Sequence, residues 1–138
     1  MKHKIGFRVY YEDTDAGGIV YHARYLAFAE RARTEAMREL SASAQEMLAE
    51  TGLAFVVRRV NAEYRRPLRL DDWMEVETSL LELGAARCRL RQDITCGDML
   101  AVTLNIELAC IAQESGRPAR IPPRWHVSLN RLVATSED

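Results

Sequence analysis

The sequence predicts an α+β domain in which one long helix lies on a five-stranded antiparallel sheet. Three observations carry that prediction. A long apolar repeat at helical spacing occurs once, over residues 20–40. Most of the chain between residues 54 and 111 is β-branched, aromatic or alternating at the two-residue period of strands. The chain, 138 residues long, has the length of one domain and carries no linker, internal repeat or low-complexity tract, so residues 1–138 are read as a single unit.

Taken in order, "IGFRVYY" (5–11) reads as the first strand, and Gly17 and Gly18 then break the pattern. From Val20 to Leu40 the residues Tyr25, Ala29, Ala32, Ala36 and Leu40 follow one helical stripe, with Leu26 and Met37 beside it. Charged residues fill the other side, where Arg31 is placed to pair with Glu35 one turn on. The alanines let this helix lie close to its partner. A short second helix over 43–50 stops at Gly52. Strands follow at 54–64, 74–80, 87–96 and 100–111, with turn signals at Gly84 and Gly97-Asp98. The last three make an antiparallel meander with one apolar face. Pro118, Pro122 and Pro123 mark an irregular exit before a short C-terminal helix. One helix covers a broad sheet incompletely and leaves its edges open, which favours a homodimer or homotetramer.

Composition narrows the function classes. A net charge of −1 supplies no overall field for nucleic acid or an anionic membrane. No apolar run reaches the ~20 residues of a membrane span or the ~7–15 of a signal peptide, so the expected location is the cytoplasm. Cys88, Cys96 and Cys110 are too far apart for a zinc knuckle and are read as reduced thiols, two of them on apolar faces. No metal site is expected.

The stretch "YYEDTDAGGIVYHARY" (10–25) holds three carboxylates, two glycines and a histidine where a plain turn would do. If it is extended, Tyr11, Asp13 and Asp15 point one way and Tyr10 and Glu12 the other. Gly17 and Gly18 allow a tight turn and close approach of backbone to a ligand. The amides near Tyr21, His22 and Ala23 then open the long helix as unpaired donors at the positive end of its dipole. An oxygen acquiring negative charge is stabilised there, and a carboxylate a few residues earlier sits across the same small volume. That pairing suits acyl transfer. A helix start capped by acidic residues gives the same spacing, and spacing does not choose between Asp13 and Asp15.

"RVYYEDTDAGGIVYHARYLAFAERARTE" (8–35) resembles the N-terminal signature of the 4-hydroxybenzoyl-CoA thioesterase family of hotdog-fold enzymes, and the branch it is most similar to is that of the Tol–Pal-associated acyl-CoA thioesterases. The resemblance continues through "AFVVRRVNAEYRRPLRLDD" (54–72). It implies a hotdog fold, in which a five-stranded antiparallel sheet wraps around one central helix, and hydrolysis of an acyl-CoA without a cofactor. By position it places the catalytic carboxylate on Asp15, as nucleophile or as general base, and the carbonyl-polarising amide on His22. The His22 side chain and Tyr11 match positions associated with the site. The resemblance further implies sites shared between subunits and allows peripheral association with an envelope complex.

Arg65, Arg66 and Arg69 in "YRRPLRLDD" are candidates for the coenzyme A phosphates, since a guanidinium fork suits phosphate. Arg87, Arg89 and Arg91 share one side of their strand, most simply the solvated one. Two other readings stand beside hydrolysis: a hotdog dehydratase or hydratase using a histidine–carboxylate pair, and a non-catalytic acyl-ligand binding or adaptor protein.

Overall fold

Each alternating segment is a strand. The computed structural model describes residues 1–133. In it β1 is His3–Arg8, β2 Leu53–Tyr64, β3 Trp73–Leu83, β4 Arg87–Cys96 and β5 Met99–Ala112. The helices are α1 (Arg24–Leu40), α2 (Ala44–Thr51) and α3 (Pro123–Asn130). All strands join one antiparallel sheet in the order β1-β3-β4-β5-β2. The meander of β3, β4 and β5 forms its centre as predicted, and the two earlier strands close its flanks.

The inner face follows from the alternation. Met74, Val76 and Leu80 of β3, Cys88, Leu90 and Ile94 of β4, and Val102, Leu104, Ile106 and Cys110 of β5 are all buried on that side. Burying each leucine or isoleucine among them stabilises the fold by about 1.5–3 kcal/mol. Helix α1 covers this face with Tyr25, Phe28, Ala29, Ala32 and Ala36. Gln92 interrupts the apolar face of β4, and its groups are satisfied there. Its Nε2 donates to the Ala29 carbonyl at 3.0 Å and to Thr78 Oγ1 at 2.9 Å, and its Oε1 accepts from Arg33 Nη1 at 3.1 Å. A buried amide with these partners ties helix to sheet instead of destabilising the core.

Helix α2 begins at Ser43, whose hydroxyl accepts the Glu46 amide at 3.1 Å, and ends at Gly52 in the left-handed region at φ +72. Cys88 and Cys110 are buried free thiols, and Cys96 is half-buried. Among the described residues no helix is long and apolar enough to cross a membrane.

Two local expectations are corrected. The first strand ends at Arg8, because residues 11–13 turn as a short 3₁₀ segment instead of continuing into the sheet. Glu35 pairs with Arg38 rather than Arg31, whose guanidinium lies over the Phe28 ring at 6.0 Å.

Candidate active site

The segment from residue 9 to residue 23 folds back on itself between β1 and α1. After the 3₁₀ turn at Tyr11–Asp13, residues 14–20 make a small hairpin closed by a bridge between Thr14 and Val20. Its tip is fixed by two backbone bonds, Asp15 N–H to the Ile19 carbonyl at 2.9 Å and Gly18 N–H to the Asp15 carbonyl at 3.0 Å. Gly18 sits at φ +80, where a side chain costs about 1–2 kcal/mol. The hairpin is docked on the loop after β2, through the Val20 amide on the Leu68 carbonyl at 2.8 Å and the Ile19–Arg69 bridge.

Hydrogen bonding separates the two aspartates that spacing left equivalent. Asp13 is buried, and both its oxygens are taken, Oδ2 by the Tyr10 amide at 2.8 Å and Oδ1 by Arg24 Nε at 2.6 Å. Arg24 also reaches Glu12 at 3.1 Å. Asp15 is exposed; its Oδ1 accepts the Gly17 amide at 2.8 Å, and its Oδ2 has no partner among the described residues. A Cβ on Gly17 would lie 3.2 Å from that Oδ1, so glycine gives the carboxylate room to turn back onto its own loop. The extended geometry that put Tyr11, Asp13 and Asp15 on one side is therefore not formed. The 3₁₀ turn sends Asp13 inward and leaves Tyr11 and Asp15 outside.

The start of α1 also departs from the expectation. Ile19 and Val20 are held in bridges, so the helix begins at Arg24 instead of Val20. The Tyr21 amide is not free, since it donates to the Asp13 carbonyl at 2.9 Å. The amides of His22 and Ala23 donate to no acceptor among the described residues. They stand at the positive end of a helix of 17 residues.

Tyrosines fix the backbone around those amides. The Tyr64 hydroxyl, at the end of β2, donates to the His22 carbonyl at 3.0 Å. The His22 ring lies 4.6 Å from the Tyr21 ring and edge-on to Tyr64 at 6.3 Å. The buried Tyr25 hydroxyl accepts the Leu68 amide at 3.1 Å, and burial raises its phenol pKa. No carboxylate lies within hydrogen-bonding distance of the His22 ring among the described residues. The histidine–acid pair of the hydratase reading is therefore not assembled among the described residues.

The remaining candidates lie at the rim. Tyr11 is 81% exposed, and its carbonyl accepts both the amide and the hydroxyl of Thr14. The amides of Arg65 and Arg66 share the Ala101 carbonyl, and the Arg65 guanidinium pairs with Glu63 at 3.0 Å. The Arg66 guanidinium has no partner among the described residues, while Arg69 is the loop arginine bridged to the hairpin. Arg89 and Arg91 pair with Glu82 and Asp93 on the outer face. Sequence reasoning missed Tyr64 and Arg24. The pairing of Asp13 with Arg24 had a signal in two opposite charges flanking a glycine turn. Tyr64 had none, since its contact spans 42 positions.

A five-stranded sheet wrapped on a central helix, with a polar hairpin at that helix's N-terminus, is the hotdog architecture. The chain belongs to the thioesterase-like superfamily, whose family model matches residues 9–128. It is 40% identical over 125 residues to the acyl-CoA thioesterase YbgC of Haemophilus influenzae, covering 91% of this chain and 92% of that protein. It is 41% identical over 116 residues to the acyl-CoA thioester hydrolase YbgC of Escherichia coli O157:H7, covering 83% and 86%. Among solved structures, a probable thioesterase from Bartonella henselae superposes with a TM-score of 0.85 at 37% identity, over 88% of this chain and all of that one. The fold alone is shared with a 1,4-dihydroxy-2-naphthoyl-CoA thioesterase from Synechocystis, at a TM-score of 0.87 and 20% identity over 96% of this chain and 98% of that one.

Proposed function

We propose that the protein hydrolyses acyl-CoA thioesters to a free acid and coenzyme A, with Asp15 as the reacting carboxylate and the His22 amide as the donor that polarises the thioester carbonyl. The observation that carries this reading is the division of labour in the hairpin. Asp13 is fully engaged in holding the turn, Asp15 keeps an unpartnered oxygen, and unpartnered amides open α1 a few residues later. Kinship with acyl-CoA thioesterases over most of the chain supports the coenzyme A ester as substrate.

The chemistry is short. Asp15 attacks the carbonyl carbon, or removes a proton from the water that does, and negative charge moves onto the carbonyl oxygen. The His22 amide and the dipole of α1 stabilise that charge, a contribution of about 2.7–4 kcal/mol for one donor shielded from water. Collapse breaks the C–S bond and releases the coenzyme A thiolate, a leaving group good enough to need little further help. In the nucleophilic route the mixed anhydride on Asp15 is then hydrolysed. Gly17 and Gly18 let substrate approach the backbone, Tyr11, Tyr21 and the His22 ring border the entrance, and Arg65 and Arg66 meet the nucleotide phosphates.

The active form in this reading is a homo-oligomer. Strand β2 is a sheet edge of 12 residues with no strand on its outer side and Val56 exposed. A long open edge of this kind is covered in stable proteins, most simply by a second copy.

Free-thiol release from a panel of short, long and aromatic acyl-CoAs tests the reading, with Asp15→Asn measured beside wild type. Hydrolysis by wild type and its loss in a folded variant that still binds substrate is the expected result. A panel left intact by wild type, or hydrolysed equally by both proteins, overturns it.

A further inference from the structure

We propose that Arg33, in the wall of the cavity between α1 and the helix-facing side of β2, recognises a hydrogen-bond acceptor on the far tip of the acyl group. The proposal rests on the thioesterase reading above and adds to it the class of acyl chain.

The register of β2 on β5 sets Phe55, Val57, Val60, Ala62 and Tyr64 opposite Cys110, Leu108, Ile106, Leu104 and Val102. Residues opposite one another share a face of the sheet, so these β2 side chains belong to the side that α1 covers. Yet Val57 remains 48% exposed and Val60 39%, because α1 packs on β1 and β3 at the other flank. The uncovered strip starts at Tyr64, whose hydroxyl holds the His22 carbonyl. It ends in a cavity of about 260 Å³ bordered by Met37, Met47, Phe55 and Trp125, with Arg33 and Glu30 in its wall. That volume is below the ~300–1,000 Å³ of a whole-ligand site and suits the end of a chain.

Arg33 is the unusual group here. It is half-buried, makes one hydrogen bond, to Gln92 Oε1 at 3.1 Å, and has no ion pair among the described residues. The charged and titratable groups facing it are Glu30, exposed at the mouth, and the buried Cys88 thiol; burial lowers the pKa of the Arg33 guanidinium. A guanidinium carries five N–H donors; Arg33 commits one to Gln92, and none of the others is both buried and unpartnered, so they stay open to the cavity. An acceptor at the tip of a bound chain supplies the missing partner, and a carboxylate does so with charge assistance. The ten residues from Ala23 to Arg33 span about 15 Å along the helix, and an arginine leans back toward the N-terminus. A chain on the order of ten carbons fits between the two ends on that geometry.

The test separates this assignment from the hydrolytic one. Calorimetric titration of folded Asp15→Asn compares decanoyl-CoA with its ω-carboxy and ω-hydroxy counterparts, and the same three are assayed for kcat/KM on wild type. The expected result is roughly tenfold tighter binding of at least one tipped chain. Arg33→Met erases that preference while decanoyl-CoA binding stays within about twofold, and Arg33→Lys keeps part of it. Equal affinity for all three chains, no binding of any, or a preference unchanged in Arg33→Met overturns the proposal. Should Arg33→Met fail to fold, the three-chain comparison in Asp15→Asn alone decides. Hydrolysis without tip preference leaves the thioesterase reading standing and removes this one; tip-selective binding without hydrolysis does the reverse.

Discussion

In the β3–β4–β5 meander, Arg89 and Arg91 pair with Glu82 and Asp93 on the solvent face, and the inner face is apolar apart from the satisfied Gln92 and Thr78. In residues 10–23 the polar groups divide differently. One aspartate is buried and saturated, its neighbour two positions on is exposed and half-free, and two amides are left without partners. The meander would fold equally well with its surface charges rearranged, since exposed pairs contribute about 0–1 kcal/mol each. The hairpin has less latitude, because most of its polar atoms hold the turn and the unpartnered ones are those the proposed reaction uses. That sorting into engaged and available groups is what the proposed reaction requires of the hairpin.

Exchanging the roles of the two aspartates is the strongest way to break that contrast. Asp15→Asn keeps an oxygen for the Gly17 amide, so its melting temperature is expected to stay within about 2 °C of wild type. Its kcat for acyl-CoA hydrolysis is expected to fall about a thousandfold or more, with substrate binding retained. Asp13→Asn is expected to do the opposite. It removes the charge that Arg24 Nε and the Tyr10 amide both face and leaves Arg24 only its pair with Glu12, which costs about 1–3 kcal/mol. Urea denaturation reads that loss, and activity per folded molecule at low temperature stays near that of wild type. If both variants lose stability alike, the division of labour between them is wrong.

How much of this was legible beforehand follows from the range of the forces involved. The strands of the meander were readable because burial on one face imposes a two-residue period whatever else the protein does. The stripe of Ala29, Ala32 and Ala36 was readable for the same reason at helical spacing. Phe28 was not placed on it, since the helix buries a wider arc than the single stripe. The hairpin was readable as a site but not as a geometry. Its shape is set by the Val20 amide on Leu68, the Tyr21 amide on Asp13 and the Tyr64 hydroxyl on His22, long-range or turn-specific bonds that leave no period in the sequence. For that reason the helical period alone starts the helix four residues too early, and spacing alone leaves Asp13 and Asp15 interchangeable.

The meander's core offers a smaller test. Burial pushes the Cys88 thiol up to about 12 from an ordinary 9.0, with Arg33 opposing the rise. Its folded pKa is raised, so the folded state keeps the proton after the unfolded chain has lost it. The stabilisation is complete below pH 9 and is lost as pH climbs from 9 toward 12, at no more than about 1.4 kcal/mol per unit. Lysine and tyrosine titrate in the same window, so the readout is a difference. Stability measured by urea at pH 8, 9 and 10 is expected to decline less steeply in Cys88→Ala than in wild type. Parallel declines would mean the thiol is not sealed in the core.

Tyr64→Phe carries the smallest effect and the finest distinction. The hydroxyl is half-exposed and makes one hydrogen bond, to the His22 carbonyl, so its removal is expected to cost about 0.5–1 kcal/mol in stability. That carbonyl belongs to the residue whose amide faces the substrate oxygen in the proposed reaction, and its bond limits how the peptide units around that amide can rotate. A donor that drifts by a fraction of an ångström binds the ground-state carbonyl nearly as well but the developing oxyanion less well. The expected signature is therefore a kcat reduced several-fold with KM nearly unchanged. A rise in KM at constant kcat would instead make Tyr64 a wall of the acyl site and nothing more. The two outcomes separate a residue that positions the oxyanion donor from one that only borders the site, a difference that stability measurements alone would not reveal.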